Sequence, residues 1–144
     1  MMIGNSSGLR RLPGVIGLLG ILWALPLSLP GLLLALPVWL LHGRIYRING
    51  ALLVHGQLGD RLLARHPFGP MAAMAIGHII IVRRHALTPH ILRHELAHVR
   101  QAARWGALFP LAYLAASAWA VLHGRQAYWD NHFEIAARKA EHHT

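Results

Sequence analysis

RHELAHVRQAARWG, residues 93–106, holds two histidines four positions apart, His94 and His98, with Glu95 directly after the first. On a helix at ~100° per residue, positions i and i+4 lie about 40° apart, so the two imidazoles point the same way and can share one metal ion. The flanks carry helix signals. Thr88-Pro89 reads as N-cap and first helical residue, and Gly106 as a stop, which places a helix over Pro89–Arg104. With Leu92 set at zero, Leu96, Val99 and Ala103 fall within about 40° of it, and the histidines fall near 200° and 240°. Arg93, Arg100 and Arg104 form a third sector near 80° to 120°. The helix thus has a core face, a ligand face and a basic face. In a chain with 12 histidines among 144 residues, such a pair is also read as part of a plain polar face. Only three residues are Glu, however, and His-Glu-x-x-His then arises by chance about twice in a hundred such sequences.

The residue types fit metal chemistry. Neutral imidazoles bind Zn2+ through nitrogen, and a catalytic zinc site keeps three protein ligands plus a water whose pKa falls to about 7. A carboxylate beside the first ligand can take a proton from that water and pass it to a leaving amine, which is the role expected of Glu95. There is no cysteine, so any metal is held by His and carboxylates. A third histidine six residues after His98, as in the metzincins, is absent, because Arg104 stands there. Glu134, 36 residues after His98 in DNHFEIAARKAE, is the best candidate third ligand. Its competing role is an i,i+4 surface pair with Arg138. Asp130, Asn131 and Glu141 are candidates to orient the ligands, and Tyr128 and His123 to stabilise an oxyanion.

Outward from this helix the chain turns apolar. Leu12–Leu41 is a 30-residue run without an ionisable side chain, longer than the ~20 residues that cross a bilayer as a helix. Pro26, Pro30 and Pro37 are expected to break it, leaving either a kinked, tilted span or a helical hairpin. Arg10 and Arg11 before the run match Arg44 and Arg47 after it, and a hairpin would put both basic flanks in the cytoplasm. No small-x-small cleavage site follows cleanly, which argues against a signal peptide. A buried helix pair of a soluble protein is the bland alternative. Gly106–Leu122 is a second uncharged run, of 17 residues, open to embedding in the membrane or burial in a core.

Between the two runs, RIYRINGALLVHG reads as a β-hairpin turning at Asn49-Gly50, and His78–Val82 as a strand ended by Arg83-Arg84. Asp130 or Asn131 is expected to cap a last helix from His132 to about Glu141. The expected fold is α+β, with an N-terminal membrane segment over 1–42 and one domain over 43–144. A composition of 55% hydrophobic and 13% charged residues, with mean hydropathy +0.39, points to membrane contact. The net charge of +9 is spread over single and paired arginines rather than a basic run. This favours an anionic bilayer surface over nucleic acid.

The His94-Glu95-x-x-His98 helix with a later Asn131-x-Phe133-Glu134 resembles the gluzincins, and among them the membrane-associated kind, such as the CAAX prenyl endopeptidases and the heat-shock membrane proteases. It also resembles small bacterial membrane proteins that carry a His-Glu-Leu-x-His-Val-x-Gln helix. The likeness covers residues 77–141. It implies a zincin-like fold, zinc held by His94, His98 and Glu134, Glu95 as general base, and hydrolysis of a peptide or protein substrate at a bacterial inner membrane, on the cytoplasmic side. Zincin clefts also place a strand edge beside the active helix, here Gly77–Val82 unless that strand is simply core. Many gluzincins have an Asp four residues after the third ligand, where this chain has Arg138. A non-catalytic membrane scaffold keeping the same helices is the rival expectation. Substrate identity and oligomeric state are not readable from the residues.

Overall fold

The computed structural model describes residues 15–142. The apolar run forms two helices, α1 (Val15–Trp23) and α2 (Leu25–Leu40), and residues 1–14 of the expected membrane segment, with the Arg10 and Arg11 flank, lie outside the described residues. Contrary to the sequence expectation, Pro30 and Pro37 lie inside α2 without ending it. Each proline forfeits a backbone hydrogen bond. The buried stripe Ser28, Gly31, Ala35 and Val38 nevertheless continues through both at helical spacing, so packing on the sheet outweighs the local break. The stripe is made of small residues because the contact is close. A Cβ added to Gly31 would stand 2.8 Å from the Ile76 carbonyl oxygen.

The strands are β1 (Arg44–Ile48), β2 (Ala51–His55), β3 (Ala73–Ile76) and β4 (Ile79–Val82), in the sheet order β1-β2-β4-β3. β1–β2 is the expected hairpin, and its turn residues Asn49 and Gly50 have φ of 46° and 83°. Positive φ at both is what a type I′ turn requires. β2 and β4 run parallel, which demands a crossover. That crossover contains α3 (Gln57–Ala64), unforeseen in the sequence, and β3, which forms a hairpin with β4. Ser28, the one hydroxyl residue in the apolar run, docks this hairpin onto α2. It accepts the His78 N–H at 3.0 Å and donates to the Ala24 carbonyl at 3.1 Å.

Side chains alternate across the sheet. Val54, Ile79 and Ile81 pack with Ala35, Val38 and Leu63 on one face, and Leu53, Ile80 and Val82 pack with Leu96 and Val99 on the other. β4 is buried on both faces, as an interior strand should be. Of the two readings open for Gly77–Val82, cleft strand or core strand, the structure shows the core strand, and the sheet edge next to the histidine helix is β3.

That helix, α4 (Pro89–Trp105), starts as expected, with Thr88 Oγ1 accepting the Ile91 N–H. A 3-10 turn, Gly106–Leu108, leads into α5 (Phe109–Leu122). α6 (His132–Glu141) is capped by Asn131, which accepts the Phe133 N–H at 2.8 Å. Taken through the turn, Pro89–Leu122 is one helix long and apolar enough to cross a membrane, and 11% of its apolar window is buried. Its charged half, α4, lies against the sheet and α6. Its apolar half is α5, where Leu111, Leu114, Trp119 and Leu122 are exposed.

The end of α2 carries a backbone oddity. Leu41 N–H bonds the Pro37 carbonyl and Gly43 N–H bonds that of Val38, a helix stop whose left-handed position normally holds glycine. Here it holds His42, at φ 67°. Relief of about 1–2 kcal/mol of left-handed strain exceeds the roughly 0.5–1 kcal/mol of backbone entropy that a glycine forfeits. His42→Gly is therefore expected to raise stability by up to about 1 kcal/mol, read as a higher denaturation midpoint. A lower midpoint would show that the histidine supports the fold.

Candidate metal centre

α4 and α6 pack side by side, and this brings His94, His98 and Glu134 together, with one donor atom from each lying within 4.8 Å of the others. The two Nε2 atoms are 3.1 Å apart, His94 Nε2 is 3.4 Å from Glu134 Oε2, and His98 Nε2 is 3.4 Å from Glu134 Oε1. Ligands held at ~2.1 Å around a tetrahedral ion stand about 3.4 Å from one another. The three side chains lie close enough together to hold one metal ion.

The far side of each imidazole fixes what the near side offers. His94 Nδ1–H donates to Glu141 Oε1 at 2.7 Å. His98 Nδ1–H donates to Gln101 Oε1 at 2.8 Å, the Gln101 amide being oriented by its Nε2 donating to the Phe133 carbonyl at 3.0 Å. With both Nδ1 atoms engaged as donors, the neutral rings turn bare Nε2 lone pairs toward each other and toward a carboxylate. Four acceptors then converge on one point. Glu134 Oε1 receives the Tyr113 hydroxyl at 2.7 Å, but Oε2 is buried with no hydrogen-bond partner among the described residues. Such a cluster requires a positive charge, from a proton or a cation.

The surrounding electrostatics point the same way. Burial works to raise the Glu134 carboxyl, yet the adjoining His94 and His98 rings, whenever they carry a proton, and the Tyr113 hydroxyl hold it well below the usual carboxylate range. Burial works to lower His94 and His98, yet the Glu134 carboxylate outweighs it and raises both. An anionic glutamate at 3% exposure beside two nitrogen donors fits a divalent cation.

Glu95 is 7% exposed and faces the Ala75 main chain on the β3 edge. Burial pushes its carboxyl up, and the charges of His98 and His94 pull it back. The half-exposed Tyr128 also borders the site, its hydroxyl pushed up to about 12 by partial burial and by the Glu134 charge, so it is a hydrogen-bond donor at neutral pH.

The other candidates have different partners. Arg138 donates to the Trp129 carbonyl and lies over the Trp129 ring, and it forms no ion pair with Glu134. His123 is exposed at the end of α5, where its Nδ1 pairs with the Trp119 carbonyl. Asp130 accepts the Gln126 N–H in the loop before α6. Asn131 caps α6 and ties it to α5 through the Tyr113 carbonyl and Ser117 Oγ. Glu141, two turns beyond Glu134, orients His94. Arg93 holds the Glu141 carbonyl at 2.9 Å.

The sequence assigns Tyr113 no role, and Gln101 only its place in the His-Glu-Leu-x-His-Val-x-Gln pattern. Each left a signal: a tyrosine in an apolar helix needs a partner for its hydroxyl, and Gln101 lies three residues from His98, within reach on one helix face. Comparison of the chain with protein-family models, with curated proteins and with solved structures finds no match.

Proposed function

We propose that the chain is a membrane-seated, zinc-dependent peptidase with a zincin-like active site. The observation that carries the reading is the acceptor-only cluster of His94, His98 and Glu134, with Glu95 buried beside it. Zinc at such a centre supplies a Lewis acid and makes water acidic enough to lose a proton near neutral pH. His94, His98 and Glu134 hold the ion. Glu141 and Gln101 keep the imidazoles in the tautomer that binds it. Glu95 accepts the proton of the attacking water and delivers it to the leaving amine. Tyr128, protonated and bordering the cluster, is placed to donate to the developing oxyanion. The free edge of β3, next to Glu95, offers main-chain groups to an extended peptide.

The membrane seat is supported by the exposed leucines and tryptophans of α1, α2 and α5. At 9 and 16 residues, α1 and α2 are about 14 and 24 Å long at ~1.5 Å per residue, each short of the ~30 Å hydrocarbon core, and α5 is the apolar half of the longer Pro89–Leu122 helix, whose charged half lies against the sheet. We therefore read them as embedded from one side, with the site in the aqueous half, on the cytoplasmic face of a bacterial inner membrane.

The test is metal content and cleavage of a broad peptide library by the full chain in detergent. One zinc per chain and cleavage abolished by a chelator are expected. Zinc without any cleavage would leave a metal-bearing scaffold, and folded protein indifferent to zinc would sink the reading. Glu141→Gln, which weakens the carboxylate partner of His94, is expected to lower zinc affinity by roughly 10–100-fold, measured by competition with a chromogenic chelator. Unchanged affinity would remove Glu141 from the centre.

A further inference from the structure

The loop between α5 and α6 carries Tyr128 beside the metal centre, and the loop's own bonds are local. Gln126 N–H donates to Asp130 Oδ2 at 2.8 Å, Asp130 N–H returns to the Gln126 carbonyl at 3.0 Å, and Asn131 N–H reaches the Tyr128 carbonyl at 3.2 Å. They close the loop on itself and do not set how Tyr128 and Trp129 lie against α6. Arg138 does that. It stands one turn after Glu134 on the same face of α6, where its Nη2 donates to the Trp129 carbonyl and its guanidinium carbon lies 5.0 Å from the centre of the Trp129 ring. The Trp129 ring in turn meets the Tyr128 ring edge-on, with centroids 5.7 Å apart.

We infer that Arg138 is a positioning residue for the metal centre, a clamp on Trp129 that fixes where the Tyr128 hydroxyl stands.

Three observations carry it. Tyr128 and Trp129 are 49% and 59% exposed, so burial alone does not hold them in place. Among the described residues, Arg138 supplies the hydrogen bond that reaches residues 126–130 from a neighbouring helix. An arginine's planar fork can stack on a ring and donate to a carbonyl at once, and Arg138 grips Trp129 at both points. Finally, Arg138 Nη1 is buried with no partner among the described residues. A buried donor left unmet costs stability, so the guanidinium is poorly placed for the sake of α6 alone and well placed for the loop.

The clamp matters because of what lies under it. Tyr128 is close enough to Glu134 for its hydroxyl to feel the carboxylate, and a donor aimed at developing charge works only when held to within about 0.5 Å. α6 thus presents, one turn apart, a proposed metal ligand and the residue that sets the donor across from it. The inference rests on the metal-centred reading above and gives a task to a residue that takes no part in holding the ion.

Two measurements on the full chain in detergent test it. Amide hydrogen exchange of the zinc-free protein reads the clamp. Arg138→Ala is expected to speed exchange at the Gln126, Asp130 and Asn131 amides by about tenfold, with α4 amides at wild-type rates, and Arg138→Lys to fall between. Unchanged exchange in the loop overturns the inference, and so does exchange raised equally through α4 and α6, which would make Arg138 merely structural. Peptide cleavage by the zinc-loaded protein reads the consequence. Tyr128→Phe is expected to lower kcat by about 100-fold, and Arg138→Ala by about 10–100-fold with KM and zinc content near wild type. The double variant is expected to lose no more than Tyr128→Phe alone. Losses that multiply would show that Arg138 does not act through Tyr128, and overturn the inference. A wild type that holds zinc but cleaves no peptide removes the peptidase reading and not the clamp. The clamp is then read with acetohydroxamate, a small anionic zinc ligand, whose affinity is expected to fall in Tyr128→Phe and in Arg138→Ala and no further in the double variant. Affinity untouched by Arg138→Ala overturns the inference, and protein that binds no zinc sinks both.

Discussion

Glu95→Gln is expected to yield a folded, zinc-loaded protein whose peptidase turnover is lower by about 10²–10⁴-fold, the usual contribution of a general base. Glutamine keeps the size and much of the hydrogen bonding of glutamate but accepts no proton at neutral pH. Glu95 is absent from the donor cluster, so zinc content should not follow turnover down. It is also 7% exposed and sits among His94, His98 and Glu134, where removal of its charge alters the field on both imidazoles. Some change in metal affinity is thus expected, small beside the loss of rate. Parallel measurement of zinc stoichiometry and cleavage separates the two. Loss of zinc in step with activity would make Glu95 a structural or ligating group, and unaltered turnover would reject it as the base.

The metal cluster was legible in the sequence for reasons that do not depend on the rest of the fold. His94 and His98 share a helix face by periodicity alone. With five acidic residues in the chain, few partners are available, and Glu134 lies on a helix whose start is readable from the two candidate caps, Asp130 and Asn131. The turn at Asn49-Gly50 was readable for the same reason: the local chemistry dictates the backbone. What escaped was set by tertiary packing. β3 reads AMAI, without the β-branched run that marks β4, and it is a strand because Ala75 and Ile76 pair with β4 and α4 covers it. That is why the residues alone leave β4 open between a core strand and the cleft edge. The prolines of α2 look like helix breakers in sequence, and only the small-residue stripe against the sheet shows why the helix survives them. Tyr113 lies in a helix that reads as featureless apolar sequence, and its hydroxyl acquires meaning only when α6 brings Glu134 within 2.7 Å.

Glu134→Ala, paired with Arg138→Ala, decides between a ligand and a surface ion pair for the one acid of the cluster. If the three side chains hold the ion as proposed, removing Glu134 takes away the one anion of the set and leaves two imidazoles. Zinc affinity is expected to fall by more than the roughly 100-fold upper range seen when an outer partner is lost. Arg138 is engaged with Trp129, so Arg138→Ala is expected to leave zinc binding unchanged. The two variants also part in stability. Zinc that binds only the folded state stabilises it by RT ln(1 + [L]/Kd), about 2.7 kcal/mol at a hundredfold excess over Kd, so the wild type and Arg138→Ala should melt higher when zinc is added. Glu134→Ala should show little of that increment. In zinc-free protein a second effect enters, because Glu134→Ala also removes a buried carboxylate whose Oε2 has no hydrogen-bond partner among the described residues. The Tyr113 hydroxyl then loses its acceptor, at a cost of about 1–3 kcal/mol, offset in part by the desolvation no longer incurred. The signature of a ligand is therefore the zinc-induced rise in melting temperature and not the melting temperature itself. A full rise in Glu134→Ala, or its disappearance in Arg138→Ala, would place the third ligand elsewhere.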